Sequence, residues 1–452
     1  MQKIVGDIRL SERGERIFSD IVAGGNLVVK KFSKDRAAEL ATHRFLASAS
    51  VTPEKLLESF AVKTNQNCAG RRIVVAQDTT EINFSGRDRS RKGLGRGGDG
   101  KSLGFFIHPI VAVDAADEAV LGVAGAQIWA RGMEKAGDRR KRPAQDRESA
   151  RWLESCHMAA TALPDAAHVT VVGDRESDIY ALYAQRPEQV DLVVRVRSDR
   201  KLADCRSMYA AAGSFVPCGE MDVKVASRGV GDPGRTARVQ VSFGRVEIAR
   251  SQSAGVKGNV KTIALHLITV REIVVGEGGA DSTVEPLLWR LLTTLPIATA
   301  GDACEAIRLY RLRWRIEEVF RVLKRDGLAL EKSQIEHAPR LFNLAALALG
   351  AACRIIQLTD ARDTSPRPAT DVLEEQDLAA AQAISASLEG KTQRQKNPHE
   401  TTSLSWVSWI VARLGGWNCY YKPPGPKTMA DGWRRFAILI EGFKLAKSEA
   451  LV

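Results

Sequence analysis

Three carboxylates stand where a chain could do phosphate chemistry: Asp78, Asp174 and Glu317. Asp78 closes the β-branched run RRIVVAQD (71–78), Asp174 closes the buried run HVTVVGD (168–174), and Glu317 lies inside YRLRWRIEEVFRVLK (310–324). The crevice at strand ends is where open sheets place polar chemistry. Each acid also has a plainer reading. Asp78 would form a turn, Asp174 would start the helix before RESDIY, and Glu317 would join the i,i+4 ion pairs Arg313–Glu317 and Glu317–Arg321. Together, on a strand-strand-strand-helix-strand-helix frame, they form a set of hard oxygen ligands suited to Mg²⁺ or Mn²⁺. Two such ions activate a water or a 3′ hydroxyl and stabilise the leaving oxygen of a phosphodiester. Three acids without metals and nearby cations would repel a polyanion; Arg175, Arg313, Arg321 and Lys324 supply cations.

Helical projection at about 100° per residue separates the two adjacent glutamates. Leu309, Leu312, Ile316, Val319, Phe320 and Leu323 gather on a buried face. Tyr310, Arg313, Glu317, Arg321 and Lys324 share one narrow neighbouring stripe. Glu318 points off that stripe, towards Trp314 and Arg325, so Glu317 is the acid that faces the same way as the hydroxyl and the three cations.

The chain that must hold these residues has 452 of them, 44% hydrophobic, enough for a large core. That length predicts roughly two to four domains. Lys plus Arg number 66 against 54 Asp plus Glu, a net charge of +12, and the pI is ≈ 9.4. This excess points to a polyanionic partner, nucleic acid first and an anionic membrane second. No apolar run reads as long enough to span a bilayer, and MQKIVGDIRLSERGERIF does not read as a signal peptide. The seven cysteines are scattered and never form CxxC, which argues against a disulfide framework or zinc site and for a reducing cytoplasm.

Short helices are expected up to residue 60, including DRAAELATHRFLAS and a segment started by Thr52 and Pro53. The runs at 71–78, LGFFIHPIVAVDA, VLGVAGAQIWAR, HVTVVGD and DLVVRVRS read as strands, with helices RESARWLESCHMAATA and DIYALYAQ between them. Residues 202 to 296 read as strand after strand, followed by a helix over 301–325. RLFNLAALALGAACRIIQL is apolar all round and reads as a core helix. A polar linker follows at 362–402, then two helices flanking YYKPPGPKT. GRGGDGKS (95–102) satisfies GxxxxGK[ST], but a strand follows it where a phosphate-binding loop needs a helix. It is expected to be a mobile, basic hairpin loop.

The segments QDTTEINF, GDRESDIY and YRLRWRIEEVFRVLK resemble the three acidic motifs of cut-and-paste bacterial insertion-sequence transposases, the DDE group with a Tyr-Arg-Glu-Lys signature. That signature spaces Tyr, Arg, Glu and Lys by two, three and six residues, and Tyr310, Arg313, Glu317 and Lys324 match it without a gap. GDIRLSERGERIF and VARLGGWNCYYKPPGP resemble the family's N-terminal entry and C-terminal region, so the similarity covers nearly the whole chain. It implies an α/β fold, an RNase H-like catalytic core interrupted by a β-rich insertion, with helical N-terminal and C-terminal regions. The implied divisions are a helical DNA end-binding region (1–60), the first part of the core (61–201), the insertion (202–296), the core helix carrying the catalytic Glu (297–361), and a linker with a C-terminal helical dimerisation region (362–452).

The resemblance further implies two Mg²⁺ or Mn²⁺ ions on Asp78, Asp174 and Glu317, and double-stranded DNA as partner, both transposon ends and target. It implies a hairpin intermediate and a homodimer acting in trans, in a bacterial, nucleoid-associated cytoplasmic protein without a membrane partner. Tyr310, Arg313 and Lys324 would contact phosphates, with Arg175, Arg197 and Arg321 as further DNA contacts. Trp289 matches a family tryptophan that stacks on a flipped base; the pattern alone equally suits a core tryptophan. Trp406, Trp409, Ile410, Phe436 and Ile440 are expected on an exposed pairing face, against the plainer reading that they pack on their own domain. Two alternatives stay open: an RNase H-like structure-selective endonuclease, and a catalytically inactive, domesticated DNA-binding protein.

Overall fold

In the computed structural model of the chain, the described residues are 7–84, 91–99, 101–132, 148–225, 234–250, 261–273 and 286–449. Four helices open the chain: α1 (Ile8–Gly24), α2 (Val29–Phe32), α3 (Arg36–Ala47) and α4 (Pro53–Cys68). The Thr52 hydroxyl caps α4 by accepting from the Lys55 N–H at 3.4 Å, and Pro53 sits in the first turn, where its missing N–H costs nothing. α4 runs on to Cys68, straight across the expected division at residue 60. Its apolar face continues past that point, with Ala61, Thr64 and Cys68 buried.

The sheet begins with β1 (Arg72–Gln77), β2 (Thr80–Phe84), β3 (Gly95–Arg96), β4 (Leu103–Asp114) and β5 (Val120–Trp129). After α5 (Ala150–Ala162) come β6 (His168–Gly173), α6 (Tyr180–Gln185) and β7 (Val190–Arg195). These strands are Val/Ile-rich and buried nearly throughout, as strands covered on both faces must be. β4 pairs antiparallel with β5 on one edge and with β1 on the other; β1 pairs parallel with β6, and β6 with β7. The β-branched run 71–78 is expected to end as a strand at Asp78. Instead Gln77 pairs with Ile110 and Thr80 with Ile107, so β2 prolongs β1 along β4 with unbroken register past Asp78 and Thr79. What stops is the pairing with β6.

Beyond β7 the chain forms α7 (Met208–Gly213) and four antiparallel strands, β8 (Pro217–Val225), β9 (Arg235–Ala249), β10 (Thr262–Glu272) and β11 (Leu288–Thr293). β11 returns to pair with β7, through Leu291–Arg195, so the strands join a single sheet. β9 alternates buried and open positions over much of its length, the pattern of a half-covered sheet.

The remaining helices are α8 (Ala300–Arg311), α9 (Arg315–Arg321), α10 (Ala338–Asp360), α11 (Leu378–Leu388), α12 (Leu404–Leu414) and α13 (Pro426–Glu449). α10 packs on β5 and on the helices α1, α3 and α4, α4 also packs directly on β5, and α1 packs on α13, so the N-terminal and C-terminal helices share one core. Contrary to expectation, α10 is long and apolar enough to cross a bilayer, but 89% of its apolar window is buried inside the protein. The expected pairing face is also corrected. Trp406, Trp409, Ile410, Phe436 and Ile440 are all buried, because α12 packs against α11 and α13. The exposed apolar side chains of α13 are Ile438, Leu439, Phe443 and Leu445. All seven cysteines are free.

Candidate active site

The sheet brings two of the acids together by register. Ala76 is paired with Val172 across the parallel strands β1 and β6. Asp78 and Asp174 each lie two residues further on, at neighbouring strand ends. Each carboxylate is held by the main chain through its Oδ1. The Thr79 N–H donates to Asp78 at 2.7 Å, and the Glu176 N–H donates to Asp174 at 2.8 Å. Asp174 therefore does cap a turn, the 3₁₀ turn Arg175–Ser177. This local role is compatible with a second use of the free Oδ2.

The third acid arrives on a helix with an altered pitch. A capping box between Thr299 and Asp302 starts α8. The chain then tightens into a 3₁₀ turn at Leu312–Trp314, continues as α9, and widens into a π turn at Val322–Asp326. Such local changes of winding recur at functional sites, and they break the uniform stripe expected at 100° per residue. Tyr310 and Arg313 are buried, Glu317 and Lys324 half-buried, and Arg321 exposed. The predicted pairs Arg313–Glu317 and Glu317–Arg321 do not form. Arg313 instead reaches across to the sheet and donates to Asp78 Oδ2 at 2.7 Å. Glu317 has no hydrogen bond or ion pair among the described residues. Glu318 pairs with Arg315, which bridges on to Asp360 of α10, so this glutamate has a structural partner set different from the Trp314 and Arg325 expected.

Asp78 bears the electrostatic cost of the arrangement. Burial pushes its pKa up, Arg313 pulls it back, and Asp174 and Glu317 raise it further, to about 7. Burial also raises the Tyr310 hydroxyl, opposed by the guanidinium groups of Arg313 and Arg195. Behind Asp78, the fully buried His108 is held well below its ordinary range by burial and by Arg151, so the ring is neutral.

Two adjoining clefts open here. One, of ≈ 390 Å³, is lined by Asp174, Arg175, Arg195, Pro286, Leu287, Leu288, Tyr310, Arg313 and Trp314. The other, of ≈ 650 Å³, holds Glu317 with Thr80, Arg195, Lys224, Trp289, Arg321, Lys324 and Arg325 in its wall. Arg195, Leu287, Tyr310 and Trp314 line both. Arg175 lines the first cleft, and Arg321 and Lys324 line the second. Arg197 is not among the lining residues; it is exposed, and its main-chain N–H donates to Asp178 at 2.8 Å. Trp289 is largely buried, edge-on to Tyr310 at 5.5 Å, and also lines the second cleft. Sequence reasoning missed Arg195, Lys224 and the exposed Trp314, whose ring lies 4.8 Å from the Arg313 guanidinium. Arg195 was legible only as one of the alternating cations in DLVVRVRS.

Several N–H groups of the glycine-rich loop have partners within the protein. Gly95 and Arg96 pair with β4. The N–H of Gly98 donates to Glu81, and those of Lys101 and Ser102 to Asp99. The Gly97 N–H donates to the Ser102 carbonyl at 2.9 Å, closing a hairpin as expected; Gly100 lies outside the described residues.

Asp78, Asp174 and Glu317 offer only oxygen donors, and Asp78 is a carboxylate short of positive charge, which suits a hard divalent cation. Among the described residues no three acids, histidines or cysteines stand close enough to enclose an ion as placed. Arg313 occupies Asp78 Oδ2.

Residues 141–354 match the family described as Transposase DDE domain. The matched span contains Asp174 and Glu317 and begins after Asp78. It supports a DDE-type transposase, an enzyme class that cleaves nucleic acid and generally uses divalent metal ions.

Proposed function

We propose that this chain is a cut-and-paste transposase that binds the terminal inverted repeats of an insertion sequence, cleaves them through a hairpin intermediate and joins the 3′ ends to target DNA. The observation that carries the proposal is the placement of Asp78 and Asp174 just beyond adjacent parallel strand ends, with Glu317 close enough to raise the Asp78 pKa. The strand order β5-β4-β1-β6-β7 supports reading these strands as an RNase H-like core, with β8 to β11 as its insertion.

Asp78, Asp174 and Glu317 would hold two Mg²⁺ or Mn²⁺ ions, which supply activation of the attacking oxygen and charge neutralisation at the leaving oxygen. The protein's own cations do the rest. Arg175, Arg195 and Lys324 line the clefts where phosphates of the cleaved strand would lie. Arg313 holds Asp78 until a phosphate competes for it, and Tyr310 is aimed by its two guanidinium neighbours. Trp289, in the wall of the second cleft and edge-on to Tyr310, would stack on a flipped base entering that cleft. Pairing of two subunits in trans would use the exposed face of α13, not the buried face of α12. Such a protein would act on DNA in the bacterial cytoplasm.

The test is to incubate the protein with Mg²⁺ and DNA carrying the inverted repeats that flank its gene. Excised fragments with hairpinned ends support the proposal. Nicking independent of those repeats would point instead to a structure-selective endonuclease.

A further inference from the structure

Arg151, the second residue of α5, is 10% exposed at its side chain and lies behind the two strand-end acids. Its Nε donates to Thr79 Oγ1 at 2.9 Å and its Nη2 to Glu176 Oε2 at 2.7 Å. Its Nη1 donates to the Glu148 carbonyl at 2.5 Å, and its own carbonyl accepts from Gln127 of β5 at 3.0 Å, so the base of the side chain is fixed. Thr79 and Glu176 are the two residues whose main-chain N–H groups hold Oδ1 of Asp78 and of Asp174. One planar guanidinium therefore grips both residues that orient the acids.

The direction of the network follows from donor chemistry. Arginine can only donate. Thr79 Oγ1 accepts from it and has its own proton free for His108 Nδ1, 2.8 Å away. The neutral ring then carries its proton on Nε2, facing Gln77 Oε1 at 3.3 Å. Gln77 is the residue that precedes Asp78, and its Oε1 is fixed by the same chain. The network thus holds the strand on both sides of Asp78 and leaves Oδ2 as the oxygen not committed to the main chain.

We propose that Arg151 is a positioning residue for the candidate site, a strut that sets the Asp78 turn against the Asp174 turn through Thr79 and Glu176. This rests on the three-carboxylate reading of the site. A lysine keeps the charge but cannot reach Thr79 and Glu176 at once, because it lacks the rigid fork. Residues that orient metal ligands typically cost 10- to 100-fold in metal affinity when altered.

The experiment titrates Mn²⁺ alone into the full chain and follows the loss of the free-ion electron paramagnetic resonance signal. Arg151→Lys and Thr79→Val are expected to bind Mn²⁺ about 10- to 100-fold more weakly. Thr79→Ser, which restores the hydroxyl, is expected within about twofold of the wild type, a difference under 0.5 kcal/mol. The double variant Arg151→Lys/Thr79→Val should lose clearly less than the product of the single losses, because both single variants break the same Arg151–Thr79 bond. Near-UV circular dichroism of Thr79→Val, a near-isosteric change, should match the wild type. Wild-type Mn²⁺ affinity in Thr79→Val, multiplying losses in the double variant, or a loss that tracks unfolding would each overturn the strut. If Asp78→Asn binds Mn²⁺ as the wild type does, the three-carboxylate reading fails and takes the strut with it. If Asp78→Asn loses the ion while Thr79→Val and Arg151→Lys keep it, only the strut fails.

Discussion

Two Arg–Asp pairs, one at the strand ends and one in the helical layer, have nearly the same geometry and opposite consequences. Arg313 meets Asp78 Oδ2 at 2.7 Å, and Arg367 meets Asp371 Oδ2 at 2.7 Å. Both are largely buried, and each guanidinium leaves one nitrogen without a partner. Arg367 also donates to the Val120 carbonyl at 3.1 Å, which ties the 367–371 turn to the start of β5. Arg71 and Arg354 add positive charge near Asp371. Asp78 instead has Asp174 and Glu317 as neighbours, and its pKa climbs to about 7 in spite of Arg313. A buried ion pair whose charges cancel closes a fold. A pair in which one arginine faces three acids stores uncompensated negative charge, and such strained electrostatics mark functional sites.

The comparison is broken most severely by removing the acids. Asp78→Asn or Asp174→Asn should abolish nicking of end DNA while binding survives. Loss of several kcal/mol of metal-borne stabilisation amounts to roughly 10³-fold or more at about 1.4 kcal/mol per tenfold. Single-turnover nicking at saturating protein measures it. Next in size, Arg367→Ala should destabilise the fold by about 3–5 kcal/mol, the cost of leaving a buried charge alone. Urea denaturation followed by circular dichroism reads that change.

Smaller, and opposite in sign, is the stability effect at Asp78. Its folded pKa lies above the ordinary 3.8, so the folded state holds the proton longer than the unfolded one. The cost of this carboxylate is absent below about pH 4, grows as pH rises, and is complete above about pH 7. Asp78→Asn should therefore raise stability by on the order of 1–3 kcal/mol at pH 8 and by little at pH 4, measured with a chelator present. A destabilised Asp78→Asn protein at pH 8 would make the Arg313–Asp78 pair structural, like the other. Smallest is the salt response: Arg313→Ala should lower the slope of log K against log salt for end DNA by about one. An unchanged slope would leave Arg313 as a partner of Asp78 alone.

Much of the frame was legible because β-branched runs name buried strands and their ends. The runs ending at Asp78 and Asp174 became β1 and β6, and the RTARVQVSFGRVEIAR alternation became β9. Periodicity showed that α12 has an apolar face but not what covers it, which is why Trp406 and Trp409 were misplaced on the surface. TEINF was too short and too polar to read as a continuation of β1 past Asp78, yet β4 supplies its pairing. The contacts of Arg151 lie 72 residues back and 25 residues on, and no local pattern connects them. On the Glu317 helix the stripe put Arg313 beside Glu317, whereas in the fold Arg313 lies in a 3₁₀ turn and pairs with Asp78.

The central claim is that Glu317, not its neighbour, completes a metal-dependent nicking site. Adjacent glutamates allow a direct comparison: Glu317→Gln against Glu318→Gln, in Mg²⁺-dependent nicking of DNA carrying the element's ends, with end binding measured beside it. Glu318 is committed to Arg315, and its loss should change nicking by less than about threefold, under 1 kcal/mol. Glu317→Gln should bind ends normally and leave no more than about a thousandth of the nicking rate. Nicking retained by Glu317→Gln, or lost in Glu318→Gln instead, would contradict the account.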